Sequence, residues 1–139
     1  MSHRLVFGAV ADDLTGGIEL ASMLVARGVR TGFAIGAGAP LRSDADAQVI
    51  ALKTRVIPAA DAVAQVLAAA DRLIAAGTRQ LYFKYCATFD STPRGNIGPC
   101  AEALMEKLGT RQALFVPACS GQTAAASLSE TRFRFGKRG

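Results

Sequence analysis

Apolar residues fall into short continuous runs, separated by longer stretches with a helical repeat. Residues 5–11 read LVFGAVA, a run of strand length ending at Asp12 and Asp13, which suits a strand buried on both faces. Residues 31–35 (TGFAI), 48–52 (QVIAL), 80–85 and 113–116 are further strand candidates. Helix formers dominate from Asp13 to Gly28, with Asp13 placed as an N-cap and Gly28 as a stop. Leu14, Ile18, Ala21 and Val25 share one face there, and Leu20 and Leu24 widen it, predicting a broadly buried helix. A second helix is predicted from Pro58 to about Ala76, closed by Gly77. Val63, Val66, Leu67, Ala70, Leu73 and Ile74 keep its spacing near 3.6 residues. Pro99 suits the start of a third, running to Leu108 and Gly109 with Ala101, Leu104, Met105 and Leu108 on its face.

Strands alternating with helices predict one α/β domain over residues 5–117, with a mainly parallel sheet of about five strands and three principal helices. The pattern stops at Pro117, and residues 118–139 read as a poorly ordered tail.

Composition narrows the class. With 139 residues, half of them hydrophobic and 19% charged, the chain can build a core and is not a disordered polymer. Every apolar run is interrupted well short of the roughly 18–20 residues of a membrane-spanning helix. The first apolar run ends at two aspartates instead of a small-residue cleavage site, so no secretory leader is expected. Cys86, Cys100 and Cys119 form no CxxC pair, and an odd count without a leader points to reduced thiols in a cytoplasm. His3 is the one histidine, which argues against a structural zinc site and against a Cys–His or Ser–His nucleophile.

The net charge of +5 is uneven. Up to Pro117, 12 Lys and Arg face 10 Asp and Glu (+2); after it, 4 face 1 (+3). The basic balance is therefore largely a property of the tail. Arg132, Phe133, Arg134, Phe135, Lys137 and Arg138 faintly resemble a nucleic-acid stripe, but a solvated terminus is the simpler reading, and neither nucleic acid nor membrane is expected as a partner.

Ligands of open parallel sheets bind outside the carboxyl ends of the strands. Three polar clusters follow such ends. In Asp12-Asp13-Leu14-Thr15-Gly16-Gly17, a carboxylate could hold a hydroxyl, take its proton or ligate magnesium, while the glycines would admit a ligand close to free helix N–H groups. The plainer alternative is that Asp13 only caps the helix. In Lys53-Thr54-Arg55, Arg55 could clamp a carboxylate, or the cations could simply be surface charges. The loop from Lys84 to Asn96 offers Asp90, Ser91, Arg94 and Asn96, as ligand groups or as internal turn formers. No GxGxxG and no GxxxxGK[ST] is present.

Residues 8–24 (GAVADDLTGGIELASML), 52–55 (LKTR) and 82–104 (YFKYCATFDSTPRGNIGPCAEAL) together resemble the four-carbon acid sugar kinase family, which includes 3-oxo-tetronate, threonate and erythronate kinases. The resemblance implies an N-terminal acid-sugar domain and a separate C-terminal ATP domain, with ATP and Mg2+ used to phosphorylate the terminal hydroxyl of a small sugar acid. Charge then assigns the parts. Asp12 and Asp13 are the candidate catalytic residues, Asp12 the better placed to accept the hydroxyl proton. Thr15, Arg55, Lys84, Asp90, Ser91, Arg94 and Asn96 are candidate substrate-binding residues, with Arg55 and Arg94 foremost for the carboxylate; no residue is assigned to metal.

The family chain runs on well past its first domain, whereas the resemblance stops at Pro117-Ala118. Residues 118–139 are accordingly expected to be a non-family tail, with a frameshifted gene as one source. A truncated product, inactive alone and carrying an exposed docking face for the second domain, is the expectation. Two other readings are a non-catalytic binding module and an aspartate-nucleophile phosphatase. The second lacks an acid where it needs one, because residue 14 is Leu14.

Overall fold

The structure, a computed structural model, describes residues 5–85 and 95–110. It contains β1 (Phe7–Ala11), α1 (Leu14–Ala26), β2 (Thr31–Ile35), β3 (Ala47–Ala51), α2 (Ala59–Ala75), β4 (Gln80–Lys84) and α3 (Ile97–Leu108). The four strands form one parallel sheet in the order β2-β3-β1-β4. The α/β class and the predicted strand positions hold within a residue or two. The fifth strand expected at 113–116 and the tail at 118–139 lie outside the described residues. No helix among the described residues is long and apolar enough to cross a membrane.

Strand alternation divides the sheet into two faces. Val10, Ala34, Ile50 and Leu52 point to α2 and join Val66, Ala69, Ala70 and Leu73 in the main core cluster, with Cys100 and Leu104 of α3. Because α2 and α3 share this side, the Lys107 ammonium meets the Asp71 carboxylate of α2 at 2.6 Å. The β2–β3 connection has no helix. It packs Ala37, Ala39 and Leu41 on the same core and is held by Arg72 of α2, which donates to the carbonyls of Ala37 (2.8 Å) and Ala39.

Among the described residues, α1 alone covers the opposite face, and it sits close. A Cβ at Gly17 would stand 2.8 Å from the Ala51 Cβ and 3.3 Å from the Ala11 Cβ. The predicted broad burial of α1 is corrected here: only Gly16 and Gly17 are fully buried, while Ile18 and Val25 are more than half exposed. The helix rests on the sheet by its glycines near one end, so its larger apolar side chains flank the contact instead of filling it. Its ends match the prediction. Asp13 caps it, and Gly28 (φ 80°) closes it, with the Gly28 N–H donating to Val25 O and the Val29 N–H to Leu24 O.

Candidate functional site

All four strands run the same way, so β1, β3 and β4 end on one edge. The chain leaves β1 toward α1 on one face and leaves β3 toward α2 on the other. Neighbouring strands whose connections part to opposite faces open a crevice at their carboxyl ends, the usual ligand position in such sheets. Asp12 and Asp13 follow β1 there, and Lys53, Thr54 and Arg55 follow β3.

The backbone ladder carries on past the strands and fixes this edge. The Leu52 N–H donates to Ala11 O (2.8 Å), the Asp12 N–H to Lys84 O (3.0 Å) and the Thr54 N–H to Asp12 O (3.0 Å). Asp12 is thus locked between the β3 and β4 ends, and only 4% of its surface is exposed.

The two aspartates differ sharply. Asp13 is part-exposed; its Oδ1 accepts the Gly16 N–H at 2.8 Å, and its Oδ2 lies 3.9 Å from Arg55 Nη1 across the crevice. One oxygen serves the helix and the other faces the cation. The glycines, read from sequence as room for a ligand, serve packing instead. A Cβ at Gly16 would fall 2.5 Å from Asp13 Oδ1, and Gly17 lies against the sheet. The Gly16 N–H is also taken by the cap, so it is not open to an anion.

Lys84, the last residue of β4, lies beside the start of α1: a Cβ at Gly16 would be 3.6 Å from its Cγ. Its ammonium donates to Tyr85 O at 3.2 Å. Thr15 is exposed in the first turn of α1. Asn96 is buried at the start of α3, and its Nδ2 donates to Thr54 O (2.5 Å) and Ile57 O (2.8 Å). Both amide protons are therefore spent on backbone, leaving Oδ1 for any ligand. Asp90, Ser91 and Arg94, with Cys86, lie outside the described residues.

Two features had no signal in the sequence. Thr54 is buried, and its hydroxyl has no hydrogen-bond partner among the described residues. Cys100 comes close enough to Asp12 to feel its charge: burial first, and then the Asp12 carboxylate, push the thiol up to about 11. It therefore stays protonated near neutral pH and is no nucleophile. Only the fold brings these residues beside β1 from positions so distant in the chain.

Among the described residues, no three His, Cys, Asp or Glu side chains converge as a metal site. An open cleft of about 550 Å³ does exist at the other end of the strands, lined by Leu5, Leu41, Arg42, Asp44, Gln48 and Ala76 among others. There Arg42 and Asp44 pair with each other at 2.5 Å, and Gln48 is satisfied by the Arg42 N–H and Val49 O. Its chemistry is internally neutralised, so the crevice beside Asp12 is the stronger candidate.

A chain from Burkholderia multivorans described as 3-oxo-tetronate kinase is 56% identical over 118 residues, covering 84% of this chain and 28% of its own. Its Escherichia coli counterpart is 48% identical over 112 residues, covering 80% and 29%. A solved Salmonella typhimurium structure superposes with a TM-score of 0.72 at 48% identity, covering 75% of this chain and 26% of its own. A Haemophilus influenzae structure gives 0.71 at 46%, covering 74% and 25%. The chain thus spans little more than a quarter of the length of the curated relatives it matches. Residues 7–122 match the sugar-binding N-terminal domain family, which takes in the whole sheet, all three helices and the crevice, and this chain belongs to that family.

Proposed function

We propose that the chain binds a four-carbon sugar acid of the 3-oxo-tetronate, threonate or erythronate type in the crevice between the β1 and β3 ends, and presents its terminal hydroxyl for phosphorylation. The observation that carries this reading is the approach of Arg55 to Asp13 across that crevice, next to the buried Asp12, in a sugar-binding family whose relatives are described as kinases.

The roles follow from charge and placement. Arg55 offers a planar fork of donors to the substrate carboxylate. Asp13, already committed to the helix cap, keeps that fork turned toward the crevice. Asp12 accepts the hydrogen of the attacking hydroxyl. Lys84 and Thr15 add to the polar wall, Asp90, Ser91 and Arg94 are further proposed substrate-binding residues, and Asn96, whose amide protons go to the Thr54 and Ile57 carbonyls, supports the turn that bears Arg55. Holding the hydroxyl in line matters more than removing its proton, because phosphoryl transfer depends mainly on positioning and charge stabilisation. Well-oriented reactants gain about 7–11 kcal/mol from such positioning.

ATP and Mg2+ would be held by residues outside these 139. Val56, in the turn beside Arg55, and Ile35, at the carboxyl end of β2, are exposed apolar side chains and are proposed as part of the docking margin for the ATP-binding part. The free thiol of Cys100 suits a cytoplasmic protein.

Calorimetric titration of threonate, erythronate and 3-oxo-tetronate into the chain is the test. Binding is expected, with at least a tenfold loss in Arg55→Ala; equal affinity would remove Arg55 from the site. The chain by itself is expected to show no tetronate-dependent ATP turnover in a coupled assay, and robust turnover would overturn the placement of the ATP site elsewhere.

A further inference from the structure

We propose that Asn96 is a positioning residue that clasps the Arg55 turn and so sets the affinity for the substrate carboxylate. The inference deepens the sugar-acid reading and rests on it. After β3 the chain makes a tight turn at Arg55 and Val56 before α2 begins. At this turn Val56 is 91% exposed, while Ile57 beside it packs against the core. The two carbonyls flanking the turn, Thr54 O and Ile57 O, both receive hydrogen bonds from the one Asn96 amide, at 2.5 and 2.8 Å. Asparagine is among the few side chains that present two protons from one nitrogen, so it can close both ends of a turn at once.

The geometry also shows what Asn96 gives up. It occupies the N-cap position of α3, where an asparagine oxygen ordinarily accepts a helix N–H, yet it makes no side-chain cap bond. The side chain is 9% exposed and turned across the crevice edge instead of along its own helix. Asn96 also ends the segment that follows β4 and carries Asp90, Ser91 and Arg94 in sequence. The clasp therefore ties the start of α3 to the turn bearing Arg55. Arg55 in turn stands 3.9 Å from Asp13, at the loose limit of an ion pair. Fixing the backbone beneath Arg55 limits where its guanidinium can reach.

The experiment is a double-mutant cycle on the 139-residue chain, with threonate and its uncharged analogue threitol as probes. The variants are Asn96→Ala, Arg55→Ala and the double substitution, each titrated well below its melting temperature. The clasp predicts that Asn96→Ala loses at least tenfold in threonate affinity with little change for threitol, and that the double variant is no weaker than Arg55→Ala within about twofold. Asn96→Ser, which keeps one donor, should recover part of the loss, and it substitutes in the cycle if the alanine variant does not fold. Losses that multiply in the double variant, or that fall equally on both probes, overturn the clasp while leaving the sugar-acid site standing. Failure of the unsubstituted chain to bind threonate, 3-oxo-tetronate or erythronate overturns the site reading and this inference with it.

Discussion

The two faces of the sheet are built on opposite plans. The α2–α3 face is filled by branched and long side chains: Val10, Ile50, Leu52, Val66, Leu73 and Leu104 are all buried in one cluster. The α1 face is nearly side-chain free at its closest point, where Gly17 meets Ala11 and Ala51, and much of the α1 apolar surface stays exposed. Burial of apolar area is the main stabilising contribution, so the α2–α3 face supplies most of the stability. The α1 face supplies geometry: close helix–sheet approach sets Asp13 over the β1 end and turns one of its oxygens toward Arg55.

The sharpest way to break this contrast is Leu73→Ala. Leu73 is fully buried, so its truncation should cost about 2–5 kcal/mol, read as a lower urea midpoint at constant m value. Ile18→Ala on the other face, at a residue 53% exposed, should stay within about 0.5 kcal/mol. Comparable losses at the two positions would erase the distinction.

Next in size is an alkaline effect confined to the α3 side. The folded Cys100 thiol is raised from 9.0 to about 11. The folded state therefore holds this proton after the unfolded state has lost it. The associated stability is fully present below pH 9 and disappears as pH rises through 11. At about 1.4 kcal/mol per unit, the fall amounts to at most about 3 kcal/mol. Denaturant titrations at pH 8, 10 and 11 should show it, and Cys100→Ala should flatten this part of the profile. A variant as steep as the parent would place the alkaline sensitivity elsewhere.

The smallest effect tests the close approach. Gly17→Ala gains about 1 kcal/mol of helix propensity, but its Cβ would sit 2.8 Å from a Cβ that cannot rotate away. Overpacking of this kind costs about 1–3 kcal/mol, so a net loss of up to about 2 kcal/mol is expected, with weaker sugar-acid binding as α1 is pushed outward. A net gain in melting temperature would mean that the helix has room to spare.

Much of the architecture was legible because it depends on local pattern. The 3.6-residue spacing of Val66, Ala70 and Leu73 marks a half-buried helix wherever it lies, and LVFGAVA ending at two aspartates marks a buried strand and its exit. The Asp13 cap was readable for the same reason, since donor and acceptor are three residues apart. The burial of α1 was misjudged because an apolar face in sequence does not say how near the helix comes to the sheet. That distance is decided by Gly16 and Gly17, which look in one dimension like a loop for a ligand.

The sequence by itself determined the element types, the parallel α/β class and which polar groups follow the strand ends, because each depends on neighbours within a few residues. Tertiary structure alone decided how those groups are used. The strand order put Asp13 across from Arg55, set Cys100 beside Asp12, and turned Asn96 from its own helix toward the Thr54 and Ile57 carbonyls. Such partners are chosen by the crossings of the chain, and no spacing along the sequence encodes a distance through space.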